Sequence, residues 1–327
     1  MSSVFDILII GAGPAGLAAA IAAKRRGLTY LVVEKGGLVN SLIHYPVDMV
    51  FFTTPELLEI GGLPFVSPYE KPTRHEALRY YRRVVDTFQL ELALFENVTD
   101  VSRNGGEMFS VTSKPAHEPA QTRVARAVVL AAGAYDFPNR LGVPGEDLPH
   151  VSHYYREPHP FYRRRVVIVG GKNSAAEAAL ELYRSGAHVT LVHRREALGD
   201  SIKYWVKPDI ENRIKEGSVS ARVSTRVVEI TPTEVVLEGP EGPVREPADA
   251  VLLMTGYHSD TRLLTIAGAD VDQIGAPVHN AETYETTVPN LFVIGAFVAG
   301  QQSGRIFIEN GRFHGEVVVK EIAKRLE

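Results

Sequence analysis

Residues 7–27 read ILIIGAGPAGLAAAIAAKRRG. An unbroken apolar run meets three glycines, then passes into an alanine-rich stretch that closes at Gly27. Apolar residues without alternation suit a parallel strand covered on both faces. The glycines predict a tight turn, and the alanines a helix that stops at a glycine C-cap. TYLVVEK, residues 29–35, predicts a second strand and completes a βαβ unit.

Gly11, Gly13 and Gly16, with Pro14 and Ala15 between the last two, fit G-x-G-x-x-G. The first glycine permits the turn, the second admits a pyrophosphate to the backbone, and the third lets helix and strand pack closely. The phosphates then meet unpaired N–H groups at the helix N-terminus. Glu34 closes the second strand, where a carboxylate accepts from ribose hydroxyls and repels a 2′-phosphate. This site is therefore expected to hold FAD or NAD. Lys35 beside it, Asn40, Ser41 and His44 in the glycine-led loop that follows, and Gly133 after a second apolar run are further candidate contacts.

The same grammar returns at 164–195, RRVVIVGGKNSAAEAALELYRSGAHVTLVHRR. Gly170 and Gly171 open the turn, but Lys172 stands at the second glycine place and Ala175 at the third. A lysine at a helix N-terminus opposes the helix dipole unless its ammonium reaches an anion. Asn173 and Ser174 share that rim, and the following strand ends in His193, Arg194 and Arg195 instead of a carboxylate. Forked guanidinium donors match a 2′-phosphate, so this second site reads as selective for NADPH.

At 327 residues the chain exceeds most single cores. Two domains are expected: 1–137 with 259–327 around the first glycine site, and 138–258 around the second. The Pro- and His-rich stretch 142–160 reads as a linker, and 248–260 leads back to the first domain, so a hinge would lie near 138 and 258. A content of 45% hydrophobic and 23% charged residues is that of a soluble globular protein. A net charge of −4 gives no electrostatic reason to bind nucleic acid or an anionic membrane. No apolar run has membrane-spanning length, and the first strand begins too early for a signal peptide, so a cytoplasmic protein is expected. With no cysteine, this chain forms no disulfide, thiolate metal site or Cys-x-x-Cys redox pair. His150, His153 and His159 lack a carboxylate or thiolate set at ligand spacing, so no metal is expected. Tyr204 and Trp205 suit either core packing or the lining of a cleft, and RYYRR, 79–83, a helix face that is part packed and part solvated.

Two dinucleotide sites and a glycine-rich C-terminal segment resemble the thioredoxin-reductase-like flavoprotein reductases along nearly the whole chain. EKGGLVNSLIHYP, KPTRHEALRYYRRVV, GGKNSAAEAALEL, SIKYWVKPDIENRIKEG and IFIENGRFHG are similar, more narrowly, to the bacillithiol disulfide reductase (YpdA-type) family. The resemblance implies an α/β fold of two Rossmann-like dinucleotide-binding domains, a discontinuous FAD domain with an NADPH domain inserted. It also implies tightly bound FAD as the redox centre, NADPH as donor, a homo-oligomer (dimer or tetramer) and a small-molecule disulfide as acceptor. Lys172 is shared with that family, whereas its proposed redox cysteine falls at Ala15. No side chain here is therefore expected to be catalytic. Gly295 and Ala296 stand where wider relatives carry Gly-Asp on the ribityl side. SGRIFIEN, 303–310, is expected to begin the last helix, with Arg305 and Ile306 toward the pyrimidine end of the flavin. A small redox protein such as ferredoxin or flavodoxin is the alternative acceptor, and a non-catalytic flavin sensor the third reading.

Overall fold

The computed structural model describes residues 4–103, 108–302 and 304–326. It divides into two compact units. The first runs to His44, resumes over Asp48–Phe137 and again from Tyr257; the second comprises Tyr45–Val47 and Pro138–Gly256.

The first unit opens with strand β1 (Phe5–Ile10), helix α1 (Pro14–Arg25) and strand β2 (Tyr30–Val33). After the short α2 (Asn40–Ile43) and α3 (Arg74–Phe88) come β3 (Leu92–Ala93), β4 (Glu96–Arg103), β5 (Phe109–Pro115) and β6 (Gln121–Leu130). The strands lie in the order β3-β2-β1-β6-β5-β4. β1 pairs in parallel with β2 and β6, so Ile10 faces Val33 on one side and Leu130 on the other. Ile7, Leu8 and Ile9 are wholly buried, which is why no polar residue interrupts the run. Proline at its first turn, with Lys24 and Arg25 in its last, suits α1 to its dipole. α3 begins at a capping box in which Thr73 and Glu76 satisfy each other's backbone N–H groups. Tyr80 and Tyr81 are buried while Arg79, Arg82 and Arg83 face solvent, as the RYYRR pattern predicts.

The second unit contains β7 (Val151–Ser152), β8 (Arg165–Val169), α4 (Asn173–Arg184), β9 (His188–Val192), α5 (Lys207–Lys215) and β10 (Ser220–Arg222). β11 (Arg226–Ile230), β12 (Glu234–Gly239) and β13 (Gly242–Pro247) form an antiparallel sheet before β14 (Ala250–Leu253). A parallel sheet of order β10-β9-β8-β14-β7 carries a core of Val166, Ile168, Leu182 and Leu191. The linker expectation for 142–160 is corrected here. That stretch supplies β7, which pairs with β14 in the sheet. The buried Glu146 ties its turn together by accepting the Leu141 and Gly142 N–H groups. A two-residue strand is too short to leave a periodic signal among prolines.

The chain returns to the first unit through α6 (Arg262–Ile266) and β15 (Leu291–Val293), which adds beside β6. Two helices follow, α7 (Ile308–Gly311) and α8 (His314–Leu326), with α8 packed on α1. The last helix thus starts at His314, not within 303–310, of which Ser303 lies outside the described residues. The Asn310 side chain accepts the Phe307 N–H and donates to the Arg305 carbonyl, a local turn that competes with helix. Among the described residues no helix is long and apolar enough to cross a membrane.

Candidate functional site

The first glycine loop joins β1 to α1. A Cβ on Gly16 would lie 2.0 Å from the Gly11 carbonyl oxygen, and one on Gly11 (φ +110) 2.5 Å from the Ala131 carbonyl oxygen. Both glycines are therefore steric requirements of the strand–helix approach. Gly13 behaves differently: a Cβ there meets nothing within 4 Å, so the loop is open on that side. Gly13 is also the N-cap of α1 and supplies no side-chain cap. The first N–H groups of the helix thus lie beside open space at the positive end of the helix dipole, which fits an anionic pyrophosphate.

Glu34 is buried behind this loop. Its carboxylate accepts the Ala12 N–H at 2.8 Å and the Gly36 N–H at 2.9 Å, so it fixes the loop. A carboxylate has about four acceptor positions, so two stay available to hydroxyl donors. Asn40 lies over Gly36, and Ser41 Oγ lies 4.0 Å from where a Cβ of Gly133 would be, which unites these three candidates near Glu34. The His44 carbonyl accepts the Tyr135 hydroxyl. The Lys35 Nζ pairs with Asp136 at 2.8 Å and lies over the Phe137 ring.

Two positioning groups were missed by reading the sequence. Buried Arg74 donates to the Leu42 and Ile43 carbonyls and so holds the end of the Asn40–Ile43 turn. The capping box that starts α3 was the available signal, because it places the next residue at the first helical position. Buried His314 accepts the Gly295 N–H on Nδ1. Gly295 itself touches the first loop: its Cβ would come within 2.8 Å of Ala15 Cβ. Arg305 is exposed and Ile306 half-buried beside Gly311; with Ala296 they follow Gly295 along the C-terminal segment.

In the second unit Lys172 is the N-cap of α4, exposed, and without a side-chain cap bond. The Asn173 side chain is held by the loop that follows β9. It donates to the Ser201 carbonyl and accepts the Lys203 N–H, which pins the 199–203 loop beside the Gly171 carbonyl that receives Gly199 N–H. The His193 ring packs against Gly171, and burial, reinforced by the charges of Arg195 and Arg194, pushes its pKa down. It is therefore neutral near pH 7 and belongs to the wall of the turn. Arg194 and Arg195 are exposed, and among the described residues neither has an ion-pair partner, which leaves both guanidiniums available to a phosphate. Ser174 is exposed on the first turn of α4. Tyr204 is 82% exposed and stacks edge-on with Trp205, so the pair is not core. His153 lies 3.3 Å from Glu146, and no group of metal-ligating residues occurs among the described residues.

The family model described as pyridine nucleotide-disulphide oxidoreductase matches residues 8–295. The bacilliredoxin reductase Bdr of Bacillus subtilis is 43% identical over 321 residues, covering 97% of each chain. The structure of the bacillithiol disulfide reductase Bdr (YpdA) from Bacillus cereus superposes with a TM-score of 0.96 at 40% identity, over 99% of this chain and 100% of that one. A ferredoxin–NADP reductase of Thermus thermophilus is 30% identical over 90% of this chain and 84% of its own. With two uncapped glycine turns of opposite charge character and a likeness that runs end to end, the chain belongs to the pyridine nucleotide-disulphide oxidoreductase family, in its Bdr (YpdA) branch.

Proposed function

We propose that the chain is an NADPH-dependent flavoprotein reductase whose acceptor is a low-molecular-weight disulfide of the bacillithiol disulfide class. In this reading the first unit is the FAD domain and the second the NADPH domain. The contrast between the two glycine turns carries the assignment: a carboxylate closes the first, and exposed arginines follow the second. Gly11, Gly13, Gly16 and the N-terminus of α1 would hold the pyrophosphate of FAD, and the free acceptor positions of Glu34 the ribose. Lys172 and Ser174 rim the NADPH phosphates, and Arg194 and Arg195 take the 2′-phosphate and exclude NADH. FAD, when bound, supplies a two-electron centre between nicotinamide and disulfide.

Per turnover, NADPH and one proton cleave one S–S bond and release two thiols and NADP⁺. Because Ala15 and every other position lack a thiol, no mixed disulfide with this chain forms along the way. The side chains bind, orient and exclude water, and none acts as a nucleophile. Action in the cytoplasm and assembly as a dimer or tetramer belong to the same reading; light scattering on the purified protein measures the latter.

An anaerobic absorbance trace tests the acceptor. The bound flavin is reduced with one equivalent of NADPH, and bacillithiol disulfide is then added. Return of the oxidised spectrum with two thiols released per flavin is expected. A flavin that stays reduced with the disulfide, yet reoxidises promptly with ferredoxin, would overturn this reading in favour of the activity named for the Thermus relative.

A further inference from the structure

His314 is a buried imidazole, 6% exposed, at the first residue of α8. Its Nδ1 lies 3.2 Å from the Gly295 nitrogen and accepts that N–H, so the ring proton sits on Nε2. The ring stacks on Tyr284 at 4.2 Å, and Tyr284 stacks in turn on His279 at 5.9 Å. Burial drives the imidazole strongly toward its neutral form.

Three close approaches give this bond its consequence. Next to His314, a Cβ on Gly315 would lie 2.5 Å from the Ala19 nitrogen, so α8 is seated directly on the α1 backbone. Gly295 adopts φ +66, and its Cβ would come within 2.8 Å of Ala15 Cβ, in the first turn of α1. On its other side a Cβ of Gly311 would lie 3.2 Å from Gly295 Cα. The Gly295 backbone is thus wedged between the glycine loop, α7 and the imidazole. Of these, the imidazole makes the directional bond that sets the peptide plane.

We propose that His314 is a positioning residue for FAD: by accepting the Gly295 N–H it fixes the Ile294–Gly295 peptide, holds Gly295 against Ala15 and so sets the wall of the pyrophosphate cradle. The inference rests on the assignment of FAD to the first glycine site. It requires a neutral imidazole with its acceptor at Nδ1, which an asparagine carbonyl can replace and a phenylalanine cannot.

Wild type, His314→Asn and His314→Phe are stripped of flavin and titrated with FAD by fluorescence quenching, with the bound absorbance spectrum recorded at saturation. Loss of one directional bond is expected to raise the Kd of His314→Phe about tenfold and to shift its bound spectrum. His314→Asn is expected to stay within about threefold of wild type, with the wild-type spectrum. If His314→Phe does not fold, His314→Gln replaces it: its acceptor is displaced by one methylene, and the same weakening is expected. Wild-type affinity and spectrum in the Phe or Gln variant would overturn the role, as would an Asn variant as weak as Phe. Absence of saturable FAD binding by wild type would instead overturn the cofactor assignment on which the role depends.

Discussion

At the scale of single residues, the first turn tolerates almost no change. Gly16→Ala places a methyl 2.0 Å from the Gly11 carbonyl oxygen and must push α1 off β1. A loss of about 1–3 kcal/mol is expected, read as a lower urea midpoint at unchanged slope; an unaltered midpoint would refute the contact. Glu34→Gln keeps one acceptor but turns an amide donor toward one of the two N–H groups that the carboxylate now receives. One buried amide is left without a partner, at a cost of about 1–3 kcal/mol in the same assay. His314 has a pH signature. Burial lowers its pKa from 6.5 to about 4, so the unfolded chain takes up the proton first. Its contribution is complete above pH 6.5 and lost as pH falls toward 4, by about 3 kcal/mol in all. Guanidinium unfolding at pH 7.5 and 4.5 checks this, and the acid loss should shrink by most of that amount in His314→Asn.

Elements carry the next level of specificity. α3 starts where Thr73 and Glu76 cap each other, and the residue so placed is Arg74, which holds the Leu42 and Ile43 carbonyls. Thr73→Ala is expected to cost about 1 kcal/mol of stability and to loosen the Asn40–Ile43 turn, visible as faster amide exchange across 40–44. At the end of β9, Arg194→Ala with Arg195→Ala is expected to raise the KM for NADPH about tenfold while leaving that for NADH unchanged. Equal effects on both nucleotides would place the arginines away from the 2′-phosphate. The turn before α4 shows what residue type alone leaves open. Asn173 reads as a residue of the phosphate rim, and its side chain also donates to the Ser201 carbonyl and accepts the Lys203 N–H, a pairing with backbone that a distant loop supplies.

For the molecule as a whole, a small disulfide and a protein acceptor differ in how charge is met. With a small disulfide, raising ionic strength from about 0.05 to 0.5 M should change the rate by less than about twofold, whereas docking of an acidic protein would slow steeply. The fold was legible because each βαβ unit advertises itself locally: an apolar run covered on both faces, a glycine turn, and a helix ended by glycine. The difference in charge between the two turns was legible for the same reason, since Glu34 and the Arg194–Arg195 pair each follow their own turn within one βαβ unit. Tertiary structure alone decided what depends on residues far apart in the chain. It made 142–160 part of a sheet, gave Lys35 to Asp136, and brought His314, Gly295 and Ala15 together from opposite ends of the sequence. Local spacing specifies backbone conformation and the charge at a turn. Which distant side chain completes a hydrogen bond is set by how helices and strands pack, and no short motif carries that information.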